Sequence, residues 1–306
     1  MIATDEYELL RQDVGLVERA GRAVLELTGA EAAEFLQGQV TNDVEALTPG
    51  GGCYAALLDH KGKVRTDLRV LRLEADRLIV DAEGAGRAVL AHVFQTYSLG
   101  RQVKYTDLSD DHTVLSLIGP VARPRLDPSP GEQEHDHVLT PYGIAVTTDV
   151  GVDLICGARQ ATAARAELDV PEVSADAAEC VRIESGRPRL GLDMDGTTIP
   201  QEAGLNDRAV SFTKGCYVGQ ETVARLFYKG KPNRHLRGLR LSAAASQGDP
   251  IAFGDRQVGS VGSSCVSPVH GPIALALVRR EAAPGDRVLV GAAGEPATVV
   301  ELPFGA

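Results

Sequence analysis

The sequence predicts an α+β body of about 230 residues with a small β-barrel appended at its carboxyl end. Three observations carry this. Up to Arg234, strand-type alternation and helix-type spacing of apolar residues follow one another. From His235 onward, short apolar runs alternate with Gly, Asp and Pro turns, the pattern of a small all-β unit. A chain of 306 residues is also long enough for two or three structural units. The expected boundaries are 1–234 for the body and 235–306 for the barrel.

Ala23–Leu27 reads as a strand. Thr28 to Glu31 then matches a capping box, in which the Thr28 hydroxyl and the Glu31 carboxylate would serve the first N–H groups of a helix through Phe35 and Leu36. Tyr54–Leu58 and Lys63–Leu73 read as strands joined by the turn Asp59-His60-Lys61-Gly62. Alternation assigns Val64, Leu68 and Val70 to one face and Arg65, Asp67 and Arg69 to the other, so Asp67 points toward solvent or a cleft. Leu78–Val80 adds a strand. Arg87–Leu99 carries Val89, Leu90, Val93, Phe94 and Tyr97 at helical spacing, with Gly100 as its stop. Strands near Val103–Tyr105 and Val114–Ile118 follow.

Pro120 to His137 is rich in Pro, Asp, Glu and His and reads as an exposed excursion, with His135 and His137 as solvated residues rather than metal ligands. Strands at Ile144–Thr147 and Val152–Cys156 lead to helices over Arg159–Leu168 and Ala175–Ser185. Ser174 is the N-cap of the second helix and Gly186 its stop. The barrel strands fall at Leu239–Leu241, Val258–Val261, Ile273–Val278, Val288–Val290 and Ala297–Leu302.

The net charge of −11 argues against a protein that coats nucleic acid, because phosphate binding needs a basic face. One window differs: no Asp or Glu occurs from Thr222 through Gly248, where Arg225, Lys229, Lys231, Arg234, Arg237 and Arg240 lie. It reads either as a solvated face or as a landing site for a polyanionic tail. The five cysteines are scattered without CxxC pairs, which fits neither a disulfide framework nor a zinc site. The amino-terminal segment MIATDEYELLRQD is polar and acidic, unlike a signal or transit peptide, and no run approaches the ~18 apolar residues of a membrane span. The expectation is a protein of a reducing cytoplasm, with no membrane or nucleic-acid partner.

The densest chemistry runs from Val181 to Arg234. In Lys214-Gly-Cys216-Tyr217-Val-Gly219-Gln220-Glu221, two glycines permit a tight backbone beside Cys216, and a helical pattern with Val218, Val223, Leu226 and Phe227 follows. Cys216 would sit near a helix N-terminus with Lys214 two residues before it, an environment that stabilises a thiolate; the bland reading is a buried inert cysteine. Asp193 and Asp195 lack the spacing of a calcium loop and read as fixing loop geometry.

Lys-Gly-Cys-Tyr-x-Gly-Gln-Glu followed by Val-Ala-Arg resembles the signature of the YgfZ/GcvT-like folate-binding family. Phe35 to Val44 (FLQGQVTNDV) resembles its amino-terminal motif, and Arg182 to Gly186 (RIESG) is similar to the Arg-Leu-Glu-Ala-Gly segment of the related glycine-cleavage T-protein, an aminomethyltransferase. The resemblance implies three domains in a ring, with ferredoxin-like α+β subdomains and a carboxyl-terminal β-barrel, around an opening that holds tetrahydrofolate. It implies that Glu184 recognises the pterin, a role a carboxylate can fill by accepting two parallel hydrogen bonds; the competing reading is an ion pair with Arg182 or Arg187. Lys214, Tyr217, Arg225 and Lys229 are further candidates for contact with folate, the basic residues toward a polyglutamate tail. In T-proteins an Asp-Asp pair follows a Gly-Gly turn. Here Lys61-Gly62-Lys63-Val64-Arg65-Thr66-Asp67 keeps one glycine and one acid, which counts against methylene transfer while leaving Asp67 free to contact folate or to pair with Arg65 or Arg69.

Three functions follow from the resemblance. The first is a tetrahydrofolate-binding accessory protein for assembly or repair of iron–sulfur enzymes, with Cys216 as a redox or transfer thiol and those enzymes or their assembly factors as partners. The second is an aminomethyltransferase in which Asp67 serves the folate amine. The third is a non-catalytic docking protein. Whether a reaction is catalysed stays open.

Overall fold

In the computed structural model residues 4–305 are described, so the first three residues of the polar amino-terminal segment lie outside them. The chain begins with α1 (Thr4–Gln12), β1 (Gly15–Glu18) and β2 (Ala23–Thr28), then α2 (Ala32–Gln37), β3 (Gly52–Leu58), β4 (Val64–Glu74), β5 (Arg77–Ala82), α3 (Arg87–Tyr97), β6 (Lys104–Asp107) and β7 (His112–Ile118). It continues through β8 (His137–Thr140), β9 (Gly143–Thr148), β10 (Gly151–Gly157), α4 (Ala158–Leu168), α5 (Ala175–Glu184), α6 (Asn206–Ala209) and α7 (Gln220–Lys229). Six strands close the chain: β11 (Arg234–Leu241), β12 (Pro250–Phe253), β13 (Arg256–Ser267), β14 (Gly271–Arg279), β15 (Arg287–Val290) and β16 (Glu295–Val300).

These elements make the expected α+β fold. Two antiparallel five-stranded sheets, ordered β3-β4-β5-β2-β6 and β1-β7-β10-β9-β8, are joined by a closed barrel of order β11-β14-β13-β12-β15-β16. The sequence reading lacks α1, β1, β8, α6 and β12: α1 is short and polar, and the other four have only four residues each, too few for a periodic signal.

Helices α2 and α3 cover one face of the first sheet, burying Phe35, Leu36, Leu90 and Phe94 against Leu25, Leu68 and Val80. Helix α4 does the same for the second sheet. The uncovered faces of the two sheets meet across Val24, Leu71 and Ile79 on one side and Val114, Val146 and Ile155 on the other. Helix α5 packs against α1, β1 and the barrel through Ala177, Cys180 and Val181. The segment that carries α6 and α7 lies on the outer end of β3 and β4, where Tyr217 and Val223 cover Ala56, Leu58 and Val64.

Four local expectations are corrected. Thr28 ends β2 and makes no cap: α2 starts after Glu31, whose carboxylate instead accepts from the Gln102 N–H at 2.5 Å. Val64 does not share a face with Leu68 and Val70. Leu57 pairs with Thr66 but Leu58 with Val64, so Arg65 is the extra residue of a bulge that flips the strand beyond it. Tyr97 lies on the solvent side at the end of α3, where the helix has run past the sheet. His135 and His137 are not solvated: the backbone around them pairs with Gly50 and Thr147, which pulls both rings inward. The Ser174 cap of α5 is formed, its Oγ accepting from the Ala177 N–H at 3.3 Å.

Candidate functional site

A cavity of about 710 Å³ opens between the two sheets and α5. Its floor is the face of β3, β4 and β5 that the helices leave bare. The register there sets Asp67 opposite Ala56 and Arg69 opposite Asp81, and Tyr54 shares the face of Ala56, two residues away. The wall opposite carries Ser116 and Asp153 from β7 and β10, and α5 contributes Glu179 and Arg182.

Most of the charges in this cavity are matched in pairs. Arg69 bridges the sheets, reaching Asp81 at 2.5 Å and Asp153 at 2.9 Å, while Ser116 donates to Asp153 at 2.6 Å. Arg22 holds Asp81 at 2.6 Å and Glu83 at 2.7 Å. The two guanidinium groups keep the Asp81 pKa low in spite of burial. On α5, Arg182 binds Glu179 at 2.5 Å and Asp193 at 2.9 Å, and Arg189 binds Glu179 at 2.9 Å. Asp193 also accepts from Ser263, and Asp195 from Thr197 and Thr198, so both acids fix loop geometry as the sequence suggested.

Asp67 is a buried exception. Its Oδ2 accepts from Tyr54 Oη at 2.7 Å, but Oδ1 is buried without a partner among the described residues. Burial pushes its pKa up, against the Tyr54 hydrogen bond. The Tyr54 ring in turn lies 5.2 Å from the Arg208 guanidinium, which ion-pairs with Glu134. His135 completes this end of the cavity. Burial, reinforced by Arg69 and Arg208, drives its pKa down to about 3, so the ring is neutral, and its Nδ1 likewise has no partner among the described residues. An unpaired carboxylate oxygen and an unpaired imidazole nitrogen can serve a neutral, polar heterocycle that offers N–H groups. An aminopyrimidinone fits that description. Thr66, one residue from Asp67, points to the opposite side of the sheet and is fully buried beside Gly86, so an acid at that position would not reach the cavity.

The other expected site residues are placed elsewhere. Glu184 lies on a different side of α5 from Glu179 and Arg182. Its carboxylate accepts from Tyr7 Oη at 3.0 and 2.9 Å and from Ser267 Oγ at 2.6 Å, and it lines a second cavity, of about 510 Å³, formed by α1, the end of α5 and the carboxyl-terminal tail. Neither Arg182 nor Arg187 pairs with it: Arg187 binds Asp149 at 2.5 Å. Lys214 is buried away from solvent. Its ammonium donates to the carbonyls of Gln37, Val40 and Asn42 at 2.6, 2.7 and 2.9 Å, which uses all three donors to hold the turn after α2. Burial lowers its pKa to about 8, opposed chiefly by Asp43. Tyr217 packs in the core under Lys214, ring to ammonium 5.1 Å.

Cys216 is exposed on the loop before α7, and Arg225 and Lys229 are exposed on that helix. None of the three lines either cavity. The structure therefore does not bring Glu184, Asp67 and Cys216 into one hollow. Sequence reasoning put Arg69 on the Asp67 face but missed Tyr54, Asp81 and Asp153, because cross-strand register and the second sheet are not legible in a single chain.

Comparison with known proteins gives a consistent picture. Residues 1–159 match the family model described as the GCVT N-terminal domain, and residues 234–305 the glycine cleavage T-protein C-terminal barrel domain. The chain is 29% identical to an aminomethyltransferase of Synechococcus sp. (strain WH7803), over 98% of this chain and 89% of the relative. It is 31% identical to the tRNA-modifying protein YgfZ of Colwellia psychrerythraea, over 72% of this chain and 70% of that protein. The crystal structure of glycine cleavage system aminomethyltransferase T from Bartonella henselae superposes with a TM-score of 0.88 at 24% identity, covering 98% of this chain and 89% of the other, and so shares the fold.

Proposed function

The chain belongs to the GCVT family, and from that premise we propose that it binds a reduced folate in the cavity floored by Asp67 and acts as an accessory protein for iron–sulfur enzymes. The observation that carries the binding half is Asp67: a buried carboxyl with one oxygen held by Tyr54 and the other free, in a cavity that a neutral His135 also lines. The Asp67 oxygen would orient a pterin by hydrogen bonds, with the Arg69 network excluding mobile counterions. Tetrahydrofolate would supply a secondary amine able to carry a one-carbon unit; the protein would supply Asp67 to hold or accept a proton at Oδ1.

The accessory half rests on the resemblance of the Lys214–Glu221 segment and on the exposure of Cys216. A thiol on a surface loop, outside the folate cavity, suits contact with a macromolecule such as an iron–sulfur enzyme or an assembly factor. Lys214 would act from beneath by fixing that loop against the Gln37–Asn42 turn.

Titration calorimetry with tetrahydrofolate tests the binding half. We expect saturable binding to the wild-type chain and at least a tenfold weaker complex for Asp67→Asn, a loss of about 1.4 kcal/mol. Unchanged affinity would remove the cavity assignment. A second reading, aminomethyl transfer to folate, is favoured by one observation: Thr66 faces away from the cavity, so the missing acid there does not disable Asp67. Methylene transfer from an aminomethylated carrier protein would promote it.

A further inference from the structure

Two thiols that the proposed function does not use stand side by side. Cys180 on α5 and Cys265 on β13 meet in the seam where the helix packs on the barrel. They come from separate elements, and Cys180 is fully buried while Cys265 is half-buried. The Cys180 Sγ–H donates to Glu184 Oε1 at 3.5 Å, one helical turn along, and its other polar neighbour is the Cys265 thiol. The neighbouring Cys265 thiol, with burial, raises the Cys180 pKa, so this inner sulfur keeps its proton until a neighbour removes it. Cys53 and Cys156 are buried in the separate cores of the two sheets, and Cys216 is alone on its loop.

We propose that Cys180 and Cys265 form a redox dithiol, closing to an intramolecular disulfide that staples α5 to barrel strand β13. The oxidant is a hydroperoxide, of which hydrogen peroxide is the simplest. Cys265, the accessible sulfur, attacks the peroxide oxygen; the O–O bond breaks, leaving a sulfenic acid on Cys265 and one water. Cys180 then attacks the Cys265 sulfur. The S–S bond forms, the S–O bond breaks, and the Cys180 proton passes by way of Glu184 Oε1 to the departing hydroxide as the second water. Two thiols lose two electrons and the peroxide gains them. The staple falls on the helix that presents Glu179 and Arg182 to the folate cavity and Glu184 to the second one. The chemistry itself needs no ligand and stands apart from the folate reading.

The test uses the full chain carrying Cys216→Ser, reduced, desalted and titrated with hydrogen peroxide. We expect free thiols to fall by two, a mass loss of two hydrogen atoms, a peptide pair joining Cys180 to Cys265, a higher Tm, and full reversal by dithiothreitol. Cys265→Ala should abolish all of these; should that variant fail to fold, peptide mapping of the parent chain decides alone. Stable sulfinate on Cys265 with Cys180 still alkylatable after denaturation, or both thiols intact under peroxide, would overturn the proposal.

Discussion

Tyr54 donates a 2.7 Å hydrogen bond to one oxygen of Asp67 and leaves the other buried and free at the cavity floor. Neighbouring strands β3 and β4 hold the two side chains on one face, two rungs apart in the ladder. The other buried charges on this floor, Arg69 and Asp81, have opposite partners, so this oxygen is where a ligand would gain most.

The first prediction concerns Asp67 and pH. Burial raises its pKa in the folded state above that of the unfolded chain. The protonated form is therefore favoured by folding; this contribution is present at acid pH and is lost as pH rises through the raised value. Asp67→Asn should remove that loss. We expect its Tm to exceed the wild-type value above neutral pH and to approach it in acid, by thermal denaturation across a pH series. An Asn variant less stable at pH 8 would refute the assignment.

His135 gives the opposite sign. Its folded pKa of about 3 lies well below the ordinary 6.5, so the unfolded chain takes up a proton that the folded chain refuses. Stability is then full above about 6.5 and falls as pH drops toward about 3. The charged groups around the ring are Glu134, 3.8 Å from Nε2, and Arg69, Arg208, Asp153 and Asp81. His135→Gln should flatten the acid limb of the stability curve. A curve of unchanged slope would mean that His135 is solvated after all.

Lys214 and Cys216 are two residues apart and should separate cleanly. Lys214→Met leaves three backbone carbonyls without their donor and should lower unfolding free energy by about 3 kcal/mol or more, read from urea denaturation. Cys216→Ser alters an exposed side chain and should change stability by less than about 0.5 kcal/mol. In cells the serine variant should still fail to support a [4Fe–4S] enzyme while binding folate normally in vitro. Full rescue by serine would dismiss the thiol.

Placement also turns the basic window into a comparison. Arg225 and Lys229 stand on the exposed face of α7, whereas Arg19 and Arg187 line the cavity that Asp67 floors. Lys229→Glu should leave monoglutamate and polyglutamate affinities equal to wild type. Arg187→Ala should weaken the polyglutamate form, by about tenfold for one lost charge-assisted contact. A selective loss with Lys229→Glu would return the tail to α7.

Glu184 calls for a contrasting outcome. With both oxygens bonded to Tyr7 and one also to Ser267, Glu184→Ala should cost stability, because the Tyr7 and Ser267 hydroxyls lose a buried acceptor. Folate affinity measured well below the melting range should shift less than it does for Asp67→Asn. The reverse order would move the pterin to the second cavity.

The sequence by itself determined the elements with strong periodicity: β3 and β4, α3, α5 with its Ser174 cap, and most of the barrel. It also determined that Asp67 and Arg69 leave the core face, because alternation along a strand is a property of the backbone alone. The family motifs marked the right segment of chain but not its surroundings. Only tertiary structure decided that Lys214 serves three carbonyls rather than Cys216, and that Glu184 answers to Tyr7. Each of those outcomes depends on which distant group fills a donor or acceptor, and partners such as Tyr7 and Glu184, 177 residues apart, leave no local trace in the order of residues.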